Sequence, residues 1–355
     1  MQKQYIQIHS NKRFIHYSGS ILFVLACMFT GISMGSVSIS FSVIARIIGE
    51  QLLPFLSLTD GIDEMQKSIV LQIRLPRVLL AALVGGALSI SGAAFQGLLK
   101  NPLADPYTLG VSSGASVGAV AVLFLGISLP FVGQFTLPII SIAAAVITIF
   151  LVIGFARMVD RFMSISTIIL TGIIFSSFLG SLISLMIALT GEELRQIVHW
   201  LLGSVGMRGW DYVYIMLPFF FVGVFLLAVQ GQELNAMTFG EERAKQLGVQ
   251  VEKQKYLILA AASILTGASV AVSGTIGFVG LVIPHICRKL FGSDHRHLIP
   301  LSLLVGSGFL IVADLIARTI VSPSELPIGV ITSLVGAPTF AFILMQRRKG
   351  GVSYD

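Results

Sequence analysis

"VLLAALVGGALSISGAAFQGLL", residues 78–99, carries no charge and is closed by Arg77 on one side and Lys100 on the other. As a helix it is about 33 Å long at about 1.5 Å per residue, enough to cross a hydrocarbon core about 30 Å thick. Its glycines and serines are spread through the run, which suits a helix packed against other helices in lipid, where small residues allow close approach.

Seven further uncharged runs follow the same pattern: Phe14 to Ala45, Pro106 to Ala156, Phe162 to Gly191, Tyr212 to Gln232, Tyr256 to Cys287, His297 to Ala313 and Leu326 to Gln346. Of the 355 residues, 55% are hydrophobic and 11% charged, and the mean hydropathy is +0.91, against about 25% charged in soluble domains. The chain therefore reads as an all-α polytopic membrane protein. Pro106 to Ala156 must hold two spans, broken near "GISLPFVGQFTLP". Tyr256 to Cys287 is long for one helix and short for two, and "SGTIG" at 273–277 suggests a tight re-entry between them.

That counting predicts ten transmembrane helices. Basic residues at both ends (Lys3, Lys12 and Arg13; Arg347, Arg348 and Lys349) put both termini in the cytoplasm and require an even number of spans. The division is a cytoplasmic tail 1–16, a ten-helix transmembrane domain 17–346 and a cytoplasmic tail 347–355. On this topology the inner side holds 16 of the 23 lysines and arginines, as the positive-inside rule demands. The net charge of +6 is thereby explained, and no nucleic-acid partner is needed, since that would require a contiguous basic face. The first apolar run is too long for a signal-peptide core, and Cys27 and Cys287 fall at different depths, which implies buried thiols without a disulfide.

Catalytic patterns are thin. The sequence contains neither H-E-x-x-H nor a G-x-x-x-x-G-K-[ST] phosphate loop, so no nucleotide chemistry is expected in this chain. "GVSSG" at 110–114 has the G-x-S-x-G spacing of a nucleophile elbow, but that motif needs a preceding strand and a histidine partner. Gly110, Gly114 and Gly118 read instead as a small-residue helix face. "PHICRKLFGSDHRH", residues 284–297, gathers His285, Cys287, Asp294, His295 and His297. These could be metal ligands, but they straddle a glycine turn and read better as the end of one helix and a capped turn, at Asp294, opening the next. Asp105 in "NPLADP" reads as an N-cap, and Asp314 with Arg318, at i and i+4, as an ion pair. "GEERAKQLG", residues 240–248, forms a short helix with Glu241 and Glu242 at its amino end, which suits the helix dipole.

Four stretches in order, "IRLPRVLLAALVGGALSISGAAFQGLLKNPLADPYTLGVSSGASVG" (73–118), "FGEERAKQLGV" (239–249), "GTIGFVGLVIPHICRKLFGSDHRHLIPLS" (274–302) and "ADLIARTIVSPSELPIGVITSLVGAPTF" (313–340), resemble the membrane permease subunits of ABC importers for iron chelates and vitamin B12. The resemblance runs from about residue 70 to the carboxyl end, and more weakly before it. It implies a ten-helix fold in a prokaryotic cytoplasmic membrane. A second permease copy or related permease, a separate ABC ATPase subunit and an extracytoplasmic solute-binding protein would complete the assembly. ATP and magnesium would sit on the ATPase, with no cofactor in this chain.

By the same resemblance, 240–249 is the helix that docks in the ATPase, through Gly240, Glu241, Ala244 and Gly248. Arg74, Arg77 and Arg318 would meet acidic residues of the binding protein, a role to which forked guanidinium bonds are suited. The expected cargo is a ferric siderophore, with cobalamin or haem as alternatives, passing small and weakly polar segments such as "SISGAAFQG" and "GVSSGAS". Two other classes are kept in view: an ion-coupled transporter, which would need no ATPase, and an intramembrane serine hydrolase, which Ser112→Ala would inactivate.

Overall fold

The computed structural model describes residues 2–35, 37–53, 55 and 58–349, with side chains described from 13 to 343 and at 345 within that range. The side chains of Lys3, Lys12, Arg347, Arg348 and Lys349, used in the parity argument, and the tail from 350 onward lie outside it. In chain order the α-helices are α1 (Gln2–Ser33), α2 (Phe41–Leu52), α3 (Glu64–Ser68), α4 (Leu75–Leu98), α5 (Val111–Leu125), α6 (Thr136–Val159), α7 (Ile165–Leu189), α8 (Leu194–Leu201), α9 (Gly209–Ala228), α10 (Gly231–Thr238), α11 (Glu241–Gln246), α12 (Val251–Ser273), α13 (Val279–Phe291), α14 (His295–Thr319) and α15 (Ile328–Lys349). A π-helical stretch, Ile69–Arg74, joins α3 to α4.

Among the described residues, seven helical stretches are long and apolar enough to cross a membrane: Arg13–Ser33, Glu64–Leu98, Gly133–Val159, Ile165–Leu189, Gly209–Ala228, Val251–Ser273 and His295–Thr319. Val111–Leu125 and Ile328–Ile343 are shorter apolar helices.

The helix opened by the quoted run, α4, is the centre of the bundle and is buried from Val84 to Leu98 without interruption. It packs on α9, α12, α13 and α14. Glycine makes two of these approaches possible. A Cβ on Gly85 would strike the Gly306 carbonyl of α14, and one on Gly92 would strike the Gly280 carbonyl of α13, so the backbones touch where small residues face each other.

Three sequence expectations change. Phe14 to Ala45 is not one helix: α1 ends at Ser33, the chain turns, and α2 begins at Phe41. The turn consists of small and apolar residues, so no charge marked it. The expected re-entry is present, with Gly274 and Phe278 at positive φ between α12 and α13, but α13 has only 13 residues, about 20 Å of helix, and does not span the bilayer. Gly110 does not continue a helix face; it takes a left-handed conformation before α5. Gly114 and Gly118 do form the contact, facing Thr148 and the Ile140 carbonyl of α6.

Candidate functional site

The predicted functional residues fall at opposite ends of the bundle. Helices α4 and α14 run antiparallel: Arg77 at the start of α4 meets Asp314 near the end of α14, while Gly97 at the end of α4 abuts His295 at the start of α14. Helix α10 lies at this second end, where Asn235 bonds Asp294 at 2.7 Å, and leads directly into α11. About 36 Å of helix, the length of α4, separates the three arginines from residues 240–248.

At the first end the arginines are inward rather than free. Arg74 is 5% exposed and donates to the carbonyls of Ile32 at 2.7 Å, Ser33 at 2.8 Å and Val37, capping the end of α1. Arg77 forks onto Asp314 at 2.9 and 3.0 Å and onto Glu325 at 2.9 and 3.0 Å. Arg318 lies 3.6 Å from the same Asp314 and donates to the Gly31 carbonyl. The expected Asp314–Arg318 pair is thus half of a larger group in which one buried carboxylate serves two guanidiniums. Glu325 was not anticipated from the sequence. It lies in the connection to α15, and the Arg77 hydrogen bonds hold its carboxyl below the ordinary carboxylate range.

At the second end, Gly240 at φ +112 and Gly248 at φ +87 bound α11, conformations that favour glycine. A Cβ at either would meet open space, so the requirement is backbone geometry. Ala244 is fully buried against the bundle. Its opposite side is solvent-facing: Glu242 and Lys245 pair at 3.1 Å on the surface, flanked by exposed Phe239 and Leu247. Glu241 turns inward onto Lys255 at 2.8 Å. The segment therefore presents a charged helix face framed by two apolar side chains and held to the bundle by Ala244 and Glu241.

Between the two ends, Tyr107, Ser112, Ser113, Ser116, Thr275 and Ser333 line a cavity of about 620 Å³ together with Gly277 and Gly329. Ile183, Leu201, Leu202, Val330 and Leu334 supply the larger, apolar part of the lining, the hydroxyls the lesser part, and no charged side chain is among the lining residues. "GVSSGAS" thus reaches a cavity as expected. "SISGAAFQG" does not reach that cavity: residues 89–95 are buried against neighbouring helices, where their small side chains serve packing, and Gln96 and Gly97 line a separate pocket of about 690 Å³ beside Asn235, Arg288 and Asp294.

The polar cluster at 284–297 organises helix ends. Pro284 lacks an N–H, which frees the Gly280 carbonyl of its own helix. Gln96 Nε2 donates to the carbonyls of Gly280 and Leu281, at 3.2 and 3.1 Å, while its oxygen accepts from Arg288 at 2.5 Å. Asp294 caps α14 by accepting from the Arg296 N–H at 3.1 Å, and hydrogen bonds from the Arg296 side chain and Asn235 hold its carboxyl well below the usual range. His295 bonds Asn235 at 2.9 Å and His297 bonds Tyr17 at 3.1 Å. Asp105 likewise caps the turn before α5, accepting from the Tyr107 N–H at 3.0 Å.

The sequence and fold of this helical bundle match known proteins over most of its length. An ABC transporter permease protein of Bacillus subtilis, YvrB, described as uncharacterized, is 59% identical, covering 99% of this chain and 100% of that one. A cobalamin import system permease protein, BtuC of Halobacterium salinarum, is 42% identical over 81% of this chain and 76% of its own. Further relatives are named for molybdate and hemin transport. A solved inward-facing structure, of an ABC transporter assigned to the metal-chelate type, superposes with a TM-score of 0.81 at 32% identity, covering 94% of this chain and 99% of that one. The FecCD transport family model matches residues 22–346. The chain belongs to the FecCD transport family, whose members are membrane permeases of ABC importers.

Proposed function

We propose that this chain is the membrane-spanning subunit through which an ABC importer passes a metal chelate inward across a prokaryotic cytoplasmic membrane. The observation that carries the reading is the uncharged cavity in which the hydroxyls of Ser112, Ser116 and Thr275 are set among the aliphatic side chains of Ile183, Leu201, Leu202, Val330 and Leu334. Such a lining can accommodate a bulky chelate without a fixed charge to trap it. In this reading ten helices enclose the path, counting α13 as the half-length member, with both termini cytoplasmic and a second permease copy or related chain completing the wall.

Helix α11, bounded by Gly240 and Gly248 and held to the bundle by Glu241 and Ala244, is the proposed contact of the ATPase subunit. Its support is the outward face formed by Glu242, Arg243 and Lys245 between Phe239 and Leu247. The proposed contact of the binding protein is the opposite end, around Arg74, Arg77 and Arg318. Because all three arginines are already engaged within the chain, the group there that reaches solvent most readily is Glu325, with 48% side-chain exposure. Docking by a carboxylate of the partner would therefore require exchange with Glu325 on Arg77.

Cobalamin is the cargo favoured by the relative named for it at 42% identity. A ferric siderophore is the second reading, supported by the likeness to the solved transporter assigned to the metal-chelate type; the four sequence stretches are shared by iron-chelate and vitamin B12 permeases alike. The test is uptake into proteoliposomes holding this chain with its ATPase and binding protein, offered radiolabelled cobalamin and ferric siderophore in parallel. ATP-dependent accumulation of one label identifies the cargo, and accumulation that persists without the ATPase removes the importer reading.

A further inference from the structure

Lys255 is one of the largest fully buried side chains in the molecule, with 2% exposure. A buried ammonium is costly unless it is paired and hydrogen-bonded, and here its Nζ has three acceptors for its three N–H groups. Glu241 Oε1 lies at 2.8 Å, the Met163 carbonyl at 3.0 Å and the Phe162 carbonyl at 3.3 Å. Each acceptor belongs to a different element from the lysine. Glu241 opens α11, Phe162 and Met163 form the turn between α6 and α7, and Lys255 itself stands in the first turns of α12.

The turn is built to hold its carbonyls in place. Asp160 accepts from the backbone N–H groups of Phe162 at 2.9 Å and Ser164 at 2.8 Å, and Met163 is buried at φ +47. On the other side, α11 is fastened by the Ala244 methyl, which resists separation from the bundle but has no directional bond, and by Glu241, which does. Packing alone would be served by an apolar residue at 255. A cation there demands that α11, the turn and α12 keep their relative positions, since moving one strands a charge.

The two longer helices tied in this way both reach the central cavity. Helix α7 starts at the end of the turn and supplies Ile183 to the lining, and α12 runs without a break to the turn carrying Thr275 and Gly277, which also line it. We infer that Lys255 is the positioning residue that makes α11, the α6–α7 turn and the base of α12 move as one body, so that a push on α11 is delivered to both cavity-lining helices. This inference rests on the reading of α11 as the ATPase contact.

The test uses the complete complex with its ATPase, with Cys27 and Cys287 replaced and spin labels at two pairs of exposed positions. Arg243→Cys with Arg161→Cys reports α11 against the turn. Arg243→Cys with Arg195→Cys, on α8, reports whether nucleotide displaces α11 at all. In the wild-type background, ATP should change the second distance and leave the first fixed. With Lys255→Met the first distance should change by about 2 Å or more, the scale of helix shifts in switching proteins, and Lys255→Arg should restore it. Glu241→Gln keeps the shape of the contact and should loosen the first pair in the same sense, which decides the matter if Lys255→Met does not fold. A first distance that already changes in wild type, or stays fixed in both Lys255→Met and Glu241→Gln, overturns the inference while leaving α11 as the docking helix. If nucleotide moves neither pair in a complex with ATPase bound, the reading of α11 has failed and the inference with it.

Discussion

Arg77 and Asp314, 237 positions apart in sequence, meet in a forked ion pair at 2.9 to 3.0 Å with side-chain exposures of 12% and 1%. Asp314 also neutralises Arg318, whose side chain is 6% exposed. Removing one partner of a buried ionic group leaves uncompensated charge and costs about 3–5 kcal/mol. Asp314→Asn should therefore lower the unfolding midpoint in detergent far more than Glu325→Gln. The Glu325 carboxylate is half exposed, and exposed pairs contribute less than about 1 kcal/mol. Equal shifts for the two variants would contradict this ranking.

Gly92 sits where α4 touches the Gly280 carbonyl, and backbone has nowhere to go. Gly92→Ala should cost about 1–3 kcal/mol by overpacking. Gly154 in α6 has open space around its Cβ position, so Gly154→Ala should be neutral or stabilising by up to about 1 kcal/mol through helix propensity. Thermal unfolding of the two variants side by side checks the contrast.

Gln96 and Pro284 should be coupled. Gln96→Leu leaves the Gly280 carbonyl and Arg288 without the amide that joins them, for a cost of about 1–3 kcal/mol. Pro284→Ala returns an N–H that can bond Gly280 within α13, so the cost of Gln96→Leu should be smaller in that background. A double-mutant cycle on unfolding free energy reads the difference, and strict additivity would remove the proposed link.

Asp294 gives the end of the bundle that carries α10 and α11 an acid-sensitive element. Its carboxyl is held below the ordinary range, chiefly by the Arg296 side chain, so the folded state favours the ionised form. That stability is fully present above the ordinary carboxylate value of about 3.9 and drains away as pH falls below it toward the lower folded value. Asp294→Asn should flatten the acid limb of the unfolding midpoint plotted against pH. An unchanged limb would show that other carboxylates control it.

What the sequence made legible was local. The caps at Asp105 and Asp294, the pair Asp314–Arg318 and the short helix at 240–248 each involve residues within a few positions, where spacing alone fixes who can meet. Arg77 joining Asp314, Lys255 joining Glu241 and Met163, and Gln96 answering the carbonyl freed by Pro284 depend on which helices become neighbours, and no spacing rule encodes that. The misread turn between α1 and α2 has a different cause. Residues 34–40 include small serines and a glycine among apolar residues, and hydropathy cannot separate an uncharged turn from an uncharged span.

The shortness of α13 bears on how the protein is made. Thirteen residues fall well below the about 20 needed to cross the hydrocarbon as a free helix, and the turn before it exposes main-chain groups that lipid cannot satisfy. Those groups find partners only within the finished bundle: the Ser273 carbonyl accepts from the Ser204 N–H at 2.7 Å, and the Tyr107 hydroxyl takes both the N–H and the carbonyl of Ile276, at 2.8 and 2.9 Å. During biosynthesis α13 therefore has no stable resting place of its own in the bilayer. The partners that fix its entry, Tyr107 just before α5 and Ser204 just after α8, belong to segments made earlier in the chain, so α13 depends on them for its place in the bilayer.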